Sequence, residues 1–243
     1  MQSTKLKTLT GIGVYSLLLT TSVLVNAQTA VKPEATASKP SYSTPAAGTA
    51  DGAVKKPEFV DKISGKELLA ALRLGGYVIF FRHAQTEKDY ADQADPKMDL
   101  NNCATQRALN SKGIEQAKTI GLAFKDASIP VGKVLASDYC RAWKTADLAF
   151  GRYQRTEALN FAKAEEYTKA QKRQMRNAIT PLLAAKPAGK VNTVLVGHDD
   201  VFDAATGIYP EPQGVAYVLK PKGNGKFDIL ANLLPEEWAM LSK

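Results

Sequence analysis

His83 and His198 are the only histidines in the 243-residue chain, and each follows directly on an apolar run. The first lies in YVIFFRHAQT (Tyr77 to Thr86), the second in NTVLVGHDD (Asn192 to Asp200). Arg82 precedes His83, and Asp199 follows His198. A third segment, Ser137-Asp138-Tyr139-Cys140-Arg141, brings a second arginine after another short apolar run. Two guanidinium groups, two imidazoles and a carboxylate are the chemistry of phosphate. Arginine forks match its oxygens bidentately, and an imidazole serves as nucleophile or as hydrogen-bond donor. The two histidines and two cysteines lack metal-ligand spacing. No metal and no cofactor is therefore expected.

The runs before these residues have the composition of buried parallel strands, and ligands of such sheets bind beyond the strands' carboxyl ends. Ser64-Gly65-Lys66-Glu67 reads as a capping box opening a short helix, with Gly75-Gly76 as its stop before a strand Tyr77 to Phe81. The polar stretch Gln85 to Gln106 is too hydrophilic for a core and reads as a loop over the sheet end, part of the substrate rim. Ser111 to Ala127 is an amphipathic helix, with Ile114, Ala117, Gly121 and Phe124 on one face. A strand Lys133 to Ser137 and a helix Tyr139 to Phe150 follow. Ala162 to Ala185 has helical spacing, and Pro187-Ala188-Gly189 breaks it before the strand Thr193 to Gly197. Gly214 to Lys220 and Phe227 to Leu233 form a terminal hairpin around Gly223-Asn224-Gly225. The fold expected is α/β, a three-layer α/β/α sandwich whose mostly parallel central sheet ends in one antiparallel edge.

RHAQT (82–86) resembles the R-H-G-x-T signature of the histidine phosphatase, or phosphoglycerate-mutase-like, superfamily. SDYCRAWKTA (137–146) resembles its second motif and VGHDD (196–200) its third, in the same order. The similarity runs from Tyr77 to Leu233. YPEPQGVAY (209–217) further resembles exported bacterial members, including the lipopolysaccharide core heptose phosphate phosphatases. The resemblance implies that His83 attacks phosphorus to give a phosphohistidine, while Arg82, Arg141 and His198 bind the phosphoryl oxygens. It leaves the proton donor open. Asp199 answers to one branch of the superfamily, and Glu165, with Glu166 next, to the other; Glu211 is a candidate for lining the pocket. Ala84 stands where the signature has glycine, a departure that matters if that residue needs positive φ.

Lys5 and Lys7 precede an apolar run from Ile12 to Val25, and Val25-Asn26-Ala27 supplies a cleavage site. Residues 1–27 thus read as a signal peptide, with a retained anchor as the alternative. Export to the periplasm or beyond follows, with no stable membrane span after cleavage. Residues 28–57, rich in Ala, Pro, Ser, Thr and Lys, read as a disordered tether, and residues 58–243 as the catalytic domain. Setting aside the leader's two lysines from the 32 basic residues leaves 30 against 24 acidic ones, a balance of +6. That balance favours small anionic partners; no basic helix interleaved with aromatics points to nucleic acid. Composition leaves the oligomeric state undecided. In an exported chain the pair Cys103 and Cys140 suggests a disulfide, with two buried thiols as the alternative.

Three functions are compatible with these features. The first is a metal-independent phosphomonoester hydrolase acting on an envelope substrate such as a sugar phosphate. The others are a protein phosphohistidine phosphatase and a non-catalytic phosphate- or glycan-binding module.

Overall fold

Strand β1 (Val78–Arg82) is buried along its whole length, and its alternating side chains feed two separate cores. Ile79 and Phe81 pack with Leu68, Leu72, Phe124 and Trp238 on one face. Val78 and Phe80 pack with Ile179, Leu183 and Phe202 on the other. Period-two alternation with both sides apolar is what a central strand between two helical layers requires. The computed structural model describes residues 59–88, 90–164 and 166–241. The expected signal peptide (1–27), the tether (28–57) and the candidate Glu165 lie outside the described residues.

Six strands form one sheet: β3 (Gln154–Arg155), β2 (Val131–Ala136), β4 (Asn192–Gly197), β1, β5 (Ala216–Gly223) and β6 (Lys226–Leu233), in that order. β1, β2, β3 and β4 run parallel, whereas β5 lies antiparallel to β1 and β6 antiparallel to β5. Helices α1 (Gly65–Leu74), α2 (Ser111–Asp126) and α3 (Cys140–Phe150) cover one face. Helices α4 (Lys169–Ala184) and α5 (Asp199–Thr206) cover the other. The three-layer sandwich with its antiparallel edge is as the sequence led us to expect. None of the described helices is long and apolar enough to cross a membrane.

Three local expectations need correction. Ser64 takes the N-cap position of α1, but its side chain makes no capping bond. The helical spacing from Ala162 becomes helix only at Lys169, because Thr168 caps α4 reciprocally with Gln171. The polar stretch after His83 is not wholly rim: Asp92, Gln106 and Arg107 are buried, each with hydrogen-bond partners that a hydrophilicity count cannot foresee. The close approach of α2 to this region requires glycine. A Cβ on Gly113 would run into the backbone carbonyl of Gln85, two residues beyond His83.

Candidate active site

Register brings the two histidines together. β1 and β4 are parallel neighbours with Arg82 opposite Gly197, so His83 and His198 leave the sheet side by side. The His83 N–H donates to the Gly197 carbonyl at 3.0 Å, and the ring centroids lie 5.4 Å apart. β2 ends one strand further on, where the Ser137 N–H donates to the Val196 carbonyl. Arg141 thus arrives in the first turn of α3. Thr145, one turn later, donates its hydroxyl to the Arg141 carbonyl and accepts the Ala84 N–H. That hydroxyl ties α3 to the residue after His83, which gives the threonine of the second motif its physical role.

The tautomer of His83 follows from its partners. Nδ1 lies 2.9 Å from the Ala84 carbonyl, which can only accept, so the proton sits on Nδ1. Nε2 is left with its lone pair, and Nη2 of Arg107 donates toward it at 3.4 Å. His198 is held differently. The Ser137 hydroxyl donates to Asn160 Oδ1 at 2.7 Å and so accepts from His198 Nε2–H at 2.8 Å. His198 Nδ1 is buried and has no partner among the described residues; the same is true of Arg141 Nε. Buried polar atoms without partners are uncommon in native proteins and mark places where a ligand completes the network.

Arg82, His83, Arg141 and His198 are each 1–2% exposed, and Arg107 is 6% exposed. The cationic side chains are fastened by carboxylates and carbonyls. Arg82 pairs with Asp199 Oδ2 at 2.6 Å and donates to the Pro210 carbonyl at 3.0 Å. Arg141 pairs with Asp92 Oδ2 at 2.9 Å, and the same oxygen accepts the Arg107 N–H at 2.8 Å. Arg107 also donates to the Tyr90 carbonyl. Burial first, then Arg141, holds both histidines well below the ordinary 6.5, so the free site contains neutral imidazoles.

Cys103 and Cys140 form a disulfide, with Cα atoms 5.7 Å apart. It fastens the segment carrying Asp92 and Arg107 to the first residue of α3. Gln106 adds a second tie, its Oε1 accepting the Cys140 N–H. Arg107 is the functional residue missed from sequence.

The remaining candidates are placed as follows. Asp199 is 13% exposed, and its Oδ2 accepts from Tyr209 as well as from Arg82. Glu166 is exposed. Glu211 is 70% exposed, 4.0 Å from Arg82, and lines a neighbouring polar groove with Lys88 and Lys112. A cleft of about 170 Å³ opens over the cationic cluster, lined by Tyr90, Arg107, Arg141, Phe161, Asp200 and Tyr209 among others. Among the described residues no group of three or more His, Cys, Asp or Glu side chains is placed to hold a metal ion.

No curated protein sequence matches the chain. Among solved structures, the protein histidine phosphatase SixA complexed with tungstate is 13% identical, with a TM-score of 0.48 over 66% of this chain and 98% of that one. A mycobacterial glucosyl-3-phosphoglycerate phosphatase complexed with VO3 is 15% identical, at 0.45 over 64% and 97%. A mutant phosphoserine phosphatase from Entamoeba histolytica, in complex with phosphoserine, is 13% identical, at 0.44 over 66% and 98%. The family model of the histidine phosphatase superfamily (branch 1) matches residues 78–159. That segment runs from the strand before His83 through Arg107 and Arg141, and over it the chain is similar to the histidine phosphatase superfamily.

Proposed function

We propose that this protein is a phosphatase that hydrolyses a phosphomonoester through a phosphohistidine on His83 Nε2, on a phosphorylated sugar or similar compound of the bacterial envelope. One observation carries the reading. A neutral imidazole presents its lone pair into a buried cluster of three arginines, with its other nitrogen held by a backbone carbonyl. Such a nitrogen attacks phosphorus in line with the leaving oxygen. Arg82, Arg107 and Arg141 offset the charge on the equatorial oxygens, where preorganised donors matter most. His198 faces the same anion and gains a donor at Nδ1 when the ring protonates. The guanidinium groups supply the positive charge, joined by His198 when its ring protonates, so no step is routed through a metal.

Tyr90 and Tyr209, each about half exposed, flank the cleft. Aromatic faces at the mouth of a small polar cleft suit a sugar ring carrying the phosphate inward. Location in the envelope rests on the amino-terminal leader and on the disulfide, which persists in oxidising compartments.

The test is single-turnover labelling of the purified protein with a ³²P-labelled phosphate donor, quenched in alkali. Acid-labile label on His83, absent from His83→Ala, is the expected result. Turnover by His83→Ala at the wild-type rate overturns the nucleophile. Amino-terminal sequencing of the protein from the host's envelope fraction should begin at Gln28; recovery in the cytosol overturns the location.

A further inference from the structure

Protonation of the leaving oxygen is the step that the groups so far described leave unassigned. Among the described residues, and setting aside the exposed Glu211, three carboxyl groups stand around the cationic cluster, and their partners separate them. Asp92 Oδ2 is held by the Arg141 guanidinium and the Arg107 N–H. Asp199 Oδ2 is held by the Arg82 guanidinium and the Tyr209 hydroxyl. Each of these serves as the counter-ion of an arginine. Asp200 differs: it lines the cleft beside Arg107, Arg141 and Phe161, and among the described residues no guanidinium pairs with it. Its carboxyl has one hydrogen-bond partner among the described residues, the Tyr167 hydroxyl, which donates to Oδ2 at 2.9 Å.

We propose that Asp200 is the catalytic acid, giving its proton to the leaving oxygen of an alkyl phosphate and later taking one from the water that hydrolyses the phosphohistidine. The assignment rests on His83 as nucleophile. In the first step the Nε2 lone pair forms a bond to phosphorus as the bond from phosphorus to the ester oxygen breaks. That oxygen takes the Asp200 proton and departs as an alcohol. In the second step water attacks phosphorus, its proton passes to Asp200, and the N–P electron pair returns to Nε2. Phosphate leaves, and the enzyme regains its starting protonation.

The surroundings of Asp200 favour the protonated acid in the free site. Burial raises its pKa, and the adjacent Asp199 carboxylate raises it further. Asp203, one turn along α5, acts in the same direction, whereas the Tyr167 hydroxyl and Arg82 oppose it. Arg107 and Arg141 face it across the cleft, and Gln93 donates to the Tyr167 hydroxyl from the rim segment. From α4, Lys169, Lys172, Arg173 and Arg176 line a separate groove with Asp203.

The leaving group makes the test. Release of 4-nitrophenolate, a stable anion, needs little protonation; release of a sugar or glycerol alkoxide needs it fully. Asp200→Asn should lower kcat on glycerol phosphate by about 10²–10⁴-fold, and on 4-nitrophenyl phosphate at least about ten times less. Tyr167→Phe removes a donor to the carboxylate, so the alkaline limb of the alkyl phosphate profile should move to higher pH while folding is kept. Equal losses on both substrates, an unchanged ratio, or an unmoved limb overturns the assignment. The two readings fail separately. An unlabelled His83 in wild type removes the phosphohistidine; a labelled wild type with an unaltered substrate ratio in Asp200→Asn removes Asp200.

Discussion

The Cys103–Cys140 disulfide joins the rim segment to the residue immediately before Arg141, so one covalent bond sets both ends of the Asp92–Arg141 ion pair. The bridge spans 37 residues, a loop whose closure removes unfolded-state entropy. Replacing both cysteines with serine should destabilise the protein by about 4 kcal/mol on the chain-entropy account. Chemical denaturation measures that loss. Because the same loop carries Arg107, KM for phosphate esters should rise in the double variant at temperatures where it remains folded. An unchanged KM would show that the hydrogen bonds of Gln106 and Asp92 position the loop unaided.

The histidines make stability depend on pH, with a definite sign. Both are held below 6.5 in the folded protein, by burial and by Arg141. In the window between the folded values and 6.5 the unfolded chain binds protons that the folded chain does not. Stability therefore falls on acidification through that window and is flat with respect to these groups above it. The melting midpoint should drop as pH is lowered from about 7 to about 5. Replacing His198 with Gln should flatten the slope by about one proton. A midpoint that climbs on acidification in this range would contradict the neutral imidazoles.

Positions at strand ends were legible in the sequence, and positions set by loop packing were not. His83 and His198 could be placed because a buried strand has a recognisable composition and parallel strands deliver their carboxyl ends to one side of a sheet. Arg107 could not. It lies in a stretch with no hydrophobic period, and its burial depends on Asp92, fifteen residues earlier, and on the tie at Cys140. The disulfide held the one available signal: a bridge to Cys140 draws the four residues after Cys103 toward Arg141. Asp200 escaped for a related reason. Its neighbour Asp199 answers better to a familiar pattern, and only side-chain partners tell the two apart. The start of α4 was misplaced because residues 162–168 share helical spacing, while the cap that decides the matter is a local bond at Thr168.

Arg107 offers the sharpest test of what loop packing contributes. Its guanidinium donates toward the lone pair proposed to attack phosphorus, at 3.4 Å, and preorganised donors of this kind are worth about 10²–10³ in kcat. Arg107→Met keeps much of the stem and removes the charge. Turnover should fall by that factor. The acidic limb of kcat/KM should also move to higher pH, since the Arg107 charge is one of the causes lowering the His83 pKa. A loss of turnover with a stationary limb would place Arg107 in substrate binding alone.

Ala84 stands where the superfamily signature has glycine, and the structure removes the reason for concern. Among the described residues the non-glycine positions with positive φ are Ser128 and Asn224, so Ala84 has ordinary backbone geometry. Its methyl is fully buried against Leu109 and Ala117, and its N–H donates to Thr145. Restoring glycine would expose no new donor to phosphate. It would remove a buried methyl, about 0.8 kcal/mol, and add unfolded-state freedom of about 0.4–1 kcal/mol. Ala84→Gly should therefore lower stability by about 1–2 kcal/mol without raising kcat. Denaturant titration reads the first quantity and steady-state hydrolysis the second. A rate gain of about tenfold, equal to about 1.4 kcal/mol of barrier, would mean that the methyl crowds the phosphate after all.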